Sequence, residues 1–140
     1  MIEFFYECVF RLENQNHYSH WVSRIVASEG VGLDRISYIF CEDPYLLSIN
    51  QKHLNHNTFT DIITFDYSEG RVLSGDIFIS IERVRENAKV YSKSFQNELL
   101  RVMAHGILHL MGFNDKTDEQ ILEMRIKEEE KIELFHVEQN

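Results

Sequence analysis

The sequence predicts an α+β fold in which a small, mixed β-sheet is packed with helices. The stretches DIITFDY and GDIFISI are rich in β-branched and aromatic residues, and the Ser-Glu-Gly turn between them is typical of a hairpin. Segments with apolar residues at helical spacing precede and follow this hairpin. The chain shows no internal repeat and no linker, so we expect residues 1–140 to form a single domain.

The N-terminal half is expected to alternate strands and helices. Ile2–Tyr6 suits a first strand, and Leu33–Phe40 alternates apolar and polar residues as a second. Between them, the segment HYSHWVSRIVASEG carries apolar residues at helical spacing and ends at a glycine. Asp43 followed by Pro44 is typical of an N-cap and first turn, and this helix is expected to run to about His53.

Three more helices complete the expected order, β-α-β-α-β-β-α-α-α. Two of them are expected near Ile81–Tyr91 and Ser94–Met111, and the last begins at Thr117, whose pairing with Gln120 forms a capping box. The last helix has an acidic exterior and is expected to pack on the surface of the domain. Its predicted apolar set includes Ile121, Leu122 and Ile132.

Composition and charge narrow the class of protein. Hydrophobic residues make up 44% of the chain and there is one proline, which indicates a compact globular protein. The net charge of −9 disfavours nucleic acid as a partner at first sight. However, residues 118–138 hold eight acids and three bases, whereas residues 83–101 hold five bases and two acids. The acidity therefore belongs largely to the C-terminal segment, and RNA is not excluded elsewhere on the surface.

Localisation follows from what the sequence lacks. No apolar run approaches the roughly 20 residues that span a bilayer, so we expect no membrane partner. The N-terminal MIEFFYECVF has neither a basic region nor a small-residue cleavage site. Two cysteines, Cys8 and Cys41, are too few for a disulfide framework. We expect a cytoplasmic, reducing setting.

The stretch HGILHLMGFND contains the candidate functional residues. At about 100° per residue, the apolar residues of the helix that contains it fall on one broad face. His105 and His109 fall together with Glu98 on the opposite side, and Arg101 lies beside them. Two histidines one turn apart on a polar face are well placed to converge on something outside the helix.

A glycine then turns the chain back. Gly112 stands where a helix C-terminus favours a left-handed residue, and the return can bring Asp115 toward the two imidazoles. The pattern His-x3-His-x5-Asp offers two nitrogen ligands and one oxygen ligand, which is typical of a catalytic zinc with its fourth position open. The alternative for Asp115 is a turn residue before Thr117.

Two other enzyme classes share part of this pattern. Zinc proteases have a glutamate as general base directly after the first histidine, where this chain has Gly106, so that class is disfavoured. Two histidines and a carboxylate also form the facial triad of non-haem iron oxygenases. Such a triad is expected on a barrel scaffold rather than along a helix.

The stretch HGILHLMGFND resembles the signature of the YbeY family. The members of this family are bacterial metal-dependent endoribonucleases that act in ribosomal RNA maturation. That signature is usually His-Gly-x-Leu-His-Leu-x-Gly-aromatic-Asp-His. The likeness extends upstream to INQKHLNHNTFTDIITF, to GDIFIS and to ELLRVMAHG. It covers roughly Leu46–Lys116, with several separated motifs in the family's order.

The resemblance implies a site and also shows two departures from the family pattern. It implies that His105, His109 and Asp115 hold one zinc ion, although Asp115 stands in place of the usual third histidine and Asn114 in place of the aspartate before it. Aspartate is an acceptable zinc ligand and shifts the preference toward harder ions. Many family members also have an arginine, a plausible phosphate contact, where this chain has Leu54. Residues available to replace that arginine are Lys52, His53, His56 and Arg101, and for His53 and His56 the favoured alternative is a polar helix end and loop.

The implied activity is hydrolysis of phosphodiester bonds in single-stranded RNA, with a role in ribosomal RNA maturation at the 3′ end of 16S rRNA and in ribosome quality control. The implied partners are ribosomal RNA and the ribosome or its small-subunit proteins. Arg101 is expected to assist catalysis, as a phosphate contact or as an orienting group together with Glu98; a simple ion pair between the two is the alternative. The residues expected to guide the RNA backbone along one helical face are Arg85, Lys89 and Lys93; the alternative is an ordinary solvated helix face. The rival function is a metal-stabilised ribosome-assembly factor without nuclease activity.

Overall fold

The computed structural model describes residues 1–53 and 60–138, without the side chains of His53 and Glu138. Its elements follow the expected order. They are β1 (Ile2–Tyr6), α1 (Gln15–Ser28), β2 (Gly32–Cys41), α2 (Asp43–His53), β3 (Ile62–Asp66), β4 (Val72–Ser80), α3 (Ile81–Val90), α4 (Phe95–Leu110) and α5 (Asp118–Glu138). Among the helices of these described residues, none is both long and apolar enough to cross a lipid bilayer.

The sheet is mixed, as the sequence predicted, with the strand order β1-β2-β4-β3. Strand β2 is parallel to β1 and to β4, whereas β3 and β4 form the antiparallel hairpin. Alternate residues along β2 point to opposite faces: Ile36, Tyr38 and Phe40 enter the main core, while Cys41 enters a smaller cluster on the other side. Burial raises the pKa of the Cys41 thiol to about 12, and Cys8 and Cys41 are both free thiols.

Helices α1 and α4 pack on one face of the sheet, and α5 packs across both of them. Helix α4 is buried on nearly all sides because its apolar residues meet the sheet while its other side meets α5. The hydroxyl of Tyr38 donates a hydrogen bond of 2.9 Å to the carbonyl of Met103, which fixes α4 on β2. Gly106 lets the helix approach closely, since a Cβ there would lie 2.9 Å from side-chain atoms of both Ile62 and Ile77. The histidines are therefore presented on the side away from the sheet.

Helix α5 begins with the predicted capping box. The Thr117 hydroxyl accepts from the Gln120 amide at 3.1 Å, and the Gln120 side chain accepts from the Thr117 amide at 3.2 Å. The predicted apolar set of this helix was right for Ile132, which is half-buried against the main core, and wrong for Ile121 and Leu122, which are exposed. The residues that α5 buries instead are Met124, Glu128, Lys131 and Phe135. Two of these four are charged, so a search for apolar periodicity could not select this face.

Candidate metal centre

The C-terminal end of α4 and the turn after it bring the predicted metal ligands together. His105 and His109 lie one turn apart, and the helix closes with hydrogen bonds from the amides of Gly112 to His109 and of Phe113 to Leu108. Gly112 has φ +99°, a left-handed conformation that glycine adopts without the steric cost of a side chain. The chain therefore turns back and brings Asp115 over the end of the helix.

Three ligand atoms converge there. The Nε2 atoms of His105 and His109 are 2.9 Å apart, and each lies 3.4 Å from Oδ2 of Asp115. Ligands bound to zinc at about 2.0–2.1 Å in a tetrahedron lie roughly 3.3 Å from one another. The spacing of the three atoms therefore fits one face of such a tetrahedron, and His105, His109 and Asp115 form a group able to hold a metal ion.

The orientation of the imidazoles supports the same conclusion. His105 Nδ1 lies 2.6 Å from Oε2 of Glu128, and His109 Nδ1 lies 2.9 Å from the carbonyl oxygen of Phe113. Both partners are acceptors, so we assign the proton to Nδ1 in each ring, which leaves the lone pair on Nε2. Two such lone pairs facing a carboxylate oxygen repel one another unless a positive charge lies among them. The donor set thus suits a cation.

The three candidate ligand residues differ in how exposed their side chains are. The side chain of His105 is 15% exposed, that of His109 is 27% exposed, and that of Asp115 is 41% exposed. The side of the centre nearest Asp115 therefore meets solvent, while the side nearest His105 is covered by α5. An ion held there has an accessible face for water or substrate.

Arg101 lies behind His105 within a cluster of carboxylates. Its guanidinium makes a bidentate pair with Glu98, at 2.9 and 2.8 Å, and reaches Glu128 and Asp61 at 3.4 Å each. Burial by itself favours the neutral form, but these carboxylates outweigh it and raise the pKa of Arg101 above its usual range. The predicted pairing of Arg101 with Glu98 is present. The prediction that Glu98 lies on a polar, outward face of the helix was wrong, because Glu98 is buried.

Other predicted residues either do not belong to the group able to hold a metal ion or fall outside the described residues. The side chain of His53 and all of Leu54 and His56 fall outside the described residues, and Lys52 is exposed on α2. Arg85, Lys89 and Lys93 do not share one helix, because α3 ends at Val90 and the chain turns through Ser92 at φ 54°. Lys89 pairs with Glu86 at 3.7 Å, and the Arg85 guanidinium lies 5.5 Å from the ring centre of Phe95.

The sequence did not predict Glu128 as a residue of this site. Glu128 contacts both His105 and Arg101, and it lies 23 residues after His105 in the chain. The available signal was its spacing within α5. Met124, Glu128 and Phe135 recur at the intervals of one helical face, so a carboxylate stands between two core positions. A charged residue in such a place requires a buried partner.

Comparison with known proteins places the chain in a family. The family profile described as Endoribonuclease YbeY matches residues 9–136. The chain is 54% identical to the Endoribonuclease YbeY of Flavobacterium psychrophilum, with all of both chains covered. It is 53% identical to that of Flavobacterium johnsoniae, with 99% of this chain and all of the relative covered.

A solved structure resembles the fold over nearly the whole chain. A solution structure of a Thermotoga maritima protein matches with a TM-score of 0.70 and 27% identity, covering 99% of this chain and 91% of the other. The motif resemblance, the fold and the extent of these matches agree. The chain belongs to the endoribonuclease YbeY family.

Proposed function

We propose that this protein is a zinc-dependent endoribonuclease that hydrolyses phosphodiester bonds of single-stranded RNA. The observation that supports it most is the convergence of two imidazole nitrogens and one carboxylate oxygen at a centre with an accessible side. Its relatives carry the name endoribonuclease. Residues 1–140 act in this proposal as one metallo-endoribonuclease domain.

His105, His109 and Asp115 hold one zinc ion in this proposal. Two nitrogen donors favour zinc, and the aspartate in the third position adds a hard, negatively charged donor. When bound, the ion supplies Lewis acidity that favours ionisation of water near neutral pH and offsets charge on a phosphoryl oxygen. The accessible face beside Asp115 is the side from which the phosphodiester approaches.

The neighbouring residues explain why no glutamate base follows the first histidine. Gly106 faces the sheet and packs against Ile62 and Ile77, so a glutamate there would enter the core rather than the centre. Because the guanidinium of Arg101 is already surrounded by three carboxylates, it suits a supporting role better than direct contact with a phosphate. Arg101 therefore assists catalysis by organising the carboxylates behind His105.

We place the activity in the cytoplasm, in maturation of the 3′ end of 16S rRNA and in ribosome quality control. The ribosome or its small-subunit proteins are the proposed partners besides ribosomal RNA. The acidic exterior of α5, which includes Glu119, Glu129 and Glu133, suits a basic ribosomal protein by charge.

The test is cleavage of a labelled single-stranded RNA and of a precursor of the 16S 3′ end, with a base-paired hairpin as the substrate control. Wild-type protein depleted of metal by chelation is compared with protein reloaded with zinc and with His109→Ala. We expect cleavage of the two unpaired substrates by reloaded wild type alone. If reloaded wild type binds RNA and zinc but cleaves neither substrate, the nuclease proposal is wrong and the assembly-factor function takes its place.

A further inference from the structure

The two histidines of the candidate centre are oriented by acceptors of different origin. His109 donates to the carbonyl of Phe113, four residues further along the same turn, so its orientation follows from the local backbone. His105 donates to Glu128, a side chain supplied by another helix. The orientation of His105 therefore depends on one side chain of α5 and on the docking of that helix.

Burying the carboxylate of Glu128 costs free energy. Its side chain is 5% exposed, and removing a carboxylate from water is unfavourable unless it is paired and hydrogen-bonded. Its Oε2 atom meets the Nδ1–H of His105 at 2.6 Å and the Arg101 guanidinium at 3.4 Å. Arg101 is held in turn by its bidentate pair with Glu98 and by Asp61.

We propose that Glu128 is a positioning residue of the metal centre, which fixes His105 in the Nδ1–H form and directs its Nε2 lone pair toward His109 and Asp115. Arg101 and Glu98 hold the Glu128 carboxylate in place. This inference rests on the metal centre proposed above and assigns to α5 a role in it.

Two consequences follow from the physics of carboxylate–histidine–metal arrangements. The carboxylate makes the imidazole a stronger donor to the ion, and it prevents the ring from rotating or changing tautomer. Loss of such an outer partner typically weakens metal binding by about 10- to 100-fold. His109 serves as an internal reference, since its own acceptor is a backbone carbonyl that substitution at position 128 leaves in place.

The experiment compares wild type, Glu128→Gln, Glu128→Ala and the control Glu123→Gln, which removes the same charge from an exposed site of the same helix. Zinc affinity is measured by competition with a chelating dye, and the imidazole Nδ1–H protons of zinc-loaded, ¹⁵N-labelled protein are followed by NMR. Circular dichroism confirms that each variant is folded. Cleavage of single-stranded RNA is assayed on the same samples.

We expect Glu128→Ala to bind zinc about 10- to 100-fold more weakly and to lose the protected Nδ1–H signal of His105 while that of His109 stays. Glu128→Gln, whose amide oxygen still accepts a hydrogen bond, is expected to lose less affinity and to keep the signal. Glu123→Gln is expected to match wild type.

Wild-type zinc affinity in Glu128→Ala, or a His105 signal that persists in it, would overturn the inference. If the alanine variant fails to fold, Glu128→Gln decides: wild-type zinc affinity in that variant together with free exchange of its His105 proton would overturn the inference, because the hydrogen bond would then contribute nothing to metal binding. If the variants at position 128 lose zinc affinity while the wild type binds zinc but cuts no RNA, the inference is supported and the nuclease proposal alone is overturned.

Discussion

Helix α5 buries two charged side chains on the same face, Glu128 and Lys131, and the two have different partners. Glu128 meets Arg101 and His105 on α4, next to the candidate centre. Lys131 is fully buried, and its ammonium donates to Ser28 at 2.9 Å and to Glu29 at 2.6 Å, at the end of α1. One charge therefore ties α5 to the site, and the other ties it to the scaffold.

The difference shows that a buried charge in this fold is not in itself a mark of function. The carbonyl of Lys131 accepts a 2.7 Å hydrogen bond from the Trp21 indole, so the whole residue serves the joint between α1 and α5. Changes at Lys131 are expected to alter stability alone. Changes around Glu128 are expected to alter both stability and metal binding.

The largest effect is expected from Arg101→Met, which leaves the buried carboxylates of Glu98 and Glu128 without their guanidinium. We expect the free energy of unfolding to fall by about 4 kcal/mol, in the range for breaking a buried ion pair by removal of one partner. Zinc binding is expected to weaken as well, because Glu128 loses the group that holds it. Urea unfolding and dye competition measure the two quantities. Wild-type zinc affinity in Arg101→Met would show that Arg101 does not support the metal centre through Glu128.

A smaller loss is expected from Lys131→Met, because Glu29 keeps its second partner, Lys127, at 3.0 Å. We expect the free energy of unfolding to fall by about 2 kcal/mol, below the full effect of isolating a buried charge. Zinc affinity is expected to stay at the wild-type value. The double variant Lys131→Met/Glu29→Gln is the control, and it is expected to recover part of the loss. A zinc affinity that falls with stability would show that the two charges of α5 are not separable.

The smallest expected effect is a change with pH in the stability difference between wild type and Lys131→Met. Burial by itself raises the pKa of Glu29, but its pairs with Lys131 and Lys127 outweigh this and lower the pKa below its ordinary value of 4.5. A lowered carboxyl pKa stabilises the fold above the unfolded value, and this contribution is lost as the pH falls through the folded value. We therefore expect the stability difference between wild type and Lys131→Met to be constant from pH 7 to about 5.5 and to shrink below 4.5. Urea unfolding at four pH values measures it, and a difference that grows in acid would contradict the pairing.

Much of this architecture was predictable because it depends on local patterns. The order of the nine elements within the described residues, the hairpin between β3 and β4 and the capping box at Thr117 follow from spacing and turn chemistry within a few residues. The return of Asp115 toward His105 and His109 follows from Gly112 and is also local.

The surroundings of the centre were not predictable in the same way. The burial of Glu98 and the role of Glu128 arise where α5 docks on α4, and the register of two helices distant in sequence cannot be derived from either pattern alone. The outward position of Leu122 has the same origin, since partners on α1 and α4 stabilise Lys131 and Glu128 at the positions that apolar residues would otherwise occupy.

X-ray absorption at the zinc edge, measured on wild type and on His105→Gln that are each loaded with one equivalent of zinc, identifies the atoms bound to the ion. We expect nitrogen and oxygen ligands at about 2.0–2.2 Å, with two imidazoles in wild type and one in the variant. A sulfur shell at about 2.3 Å, or an imidazole count that His105→Gln leaves unchanged, would contradict the His105, His109 and Asp115 centre.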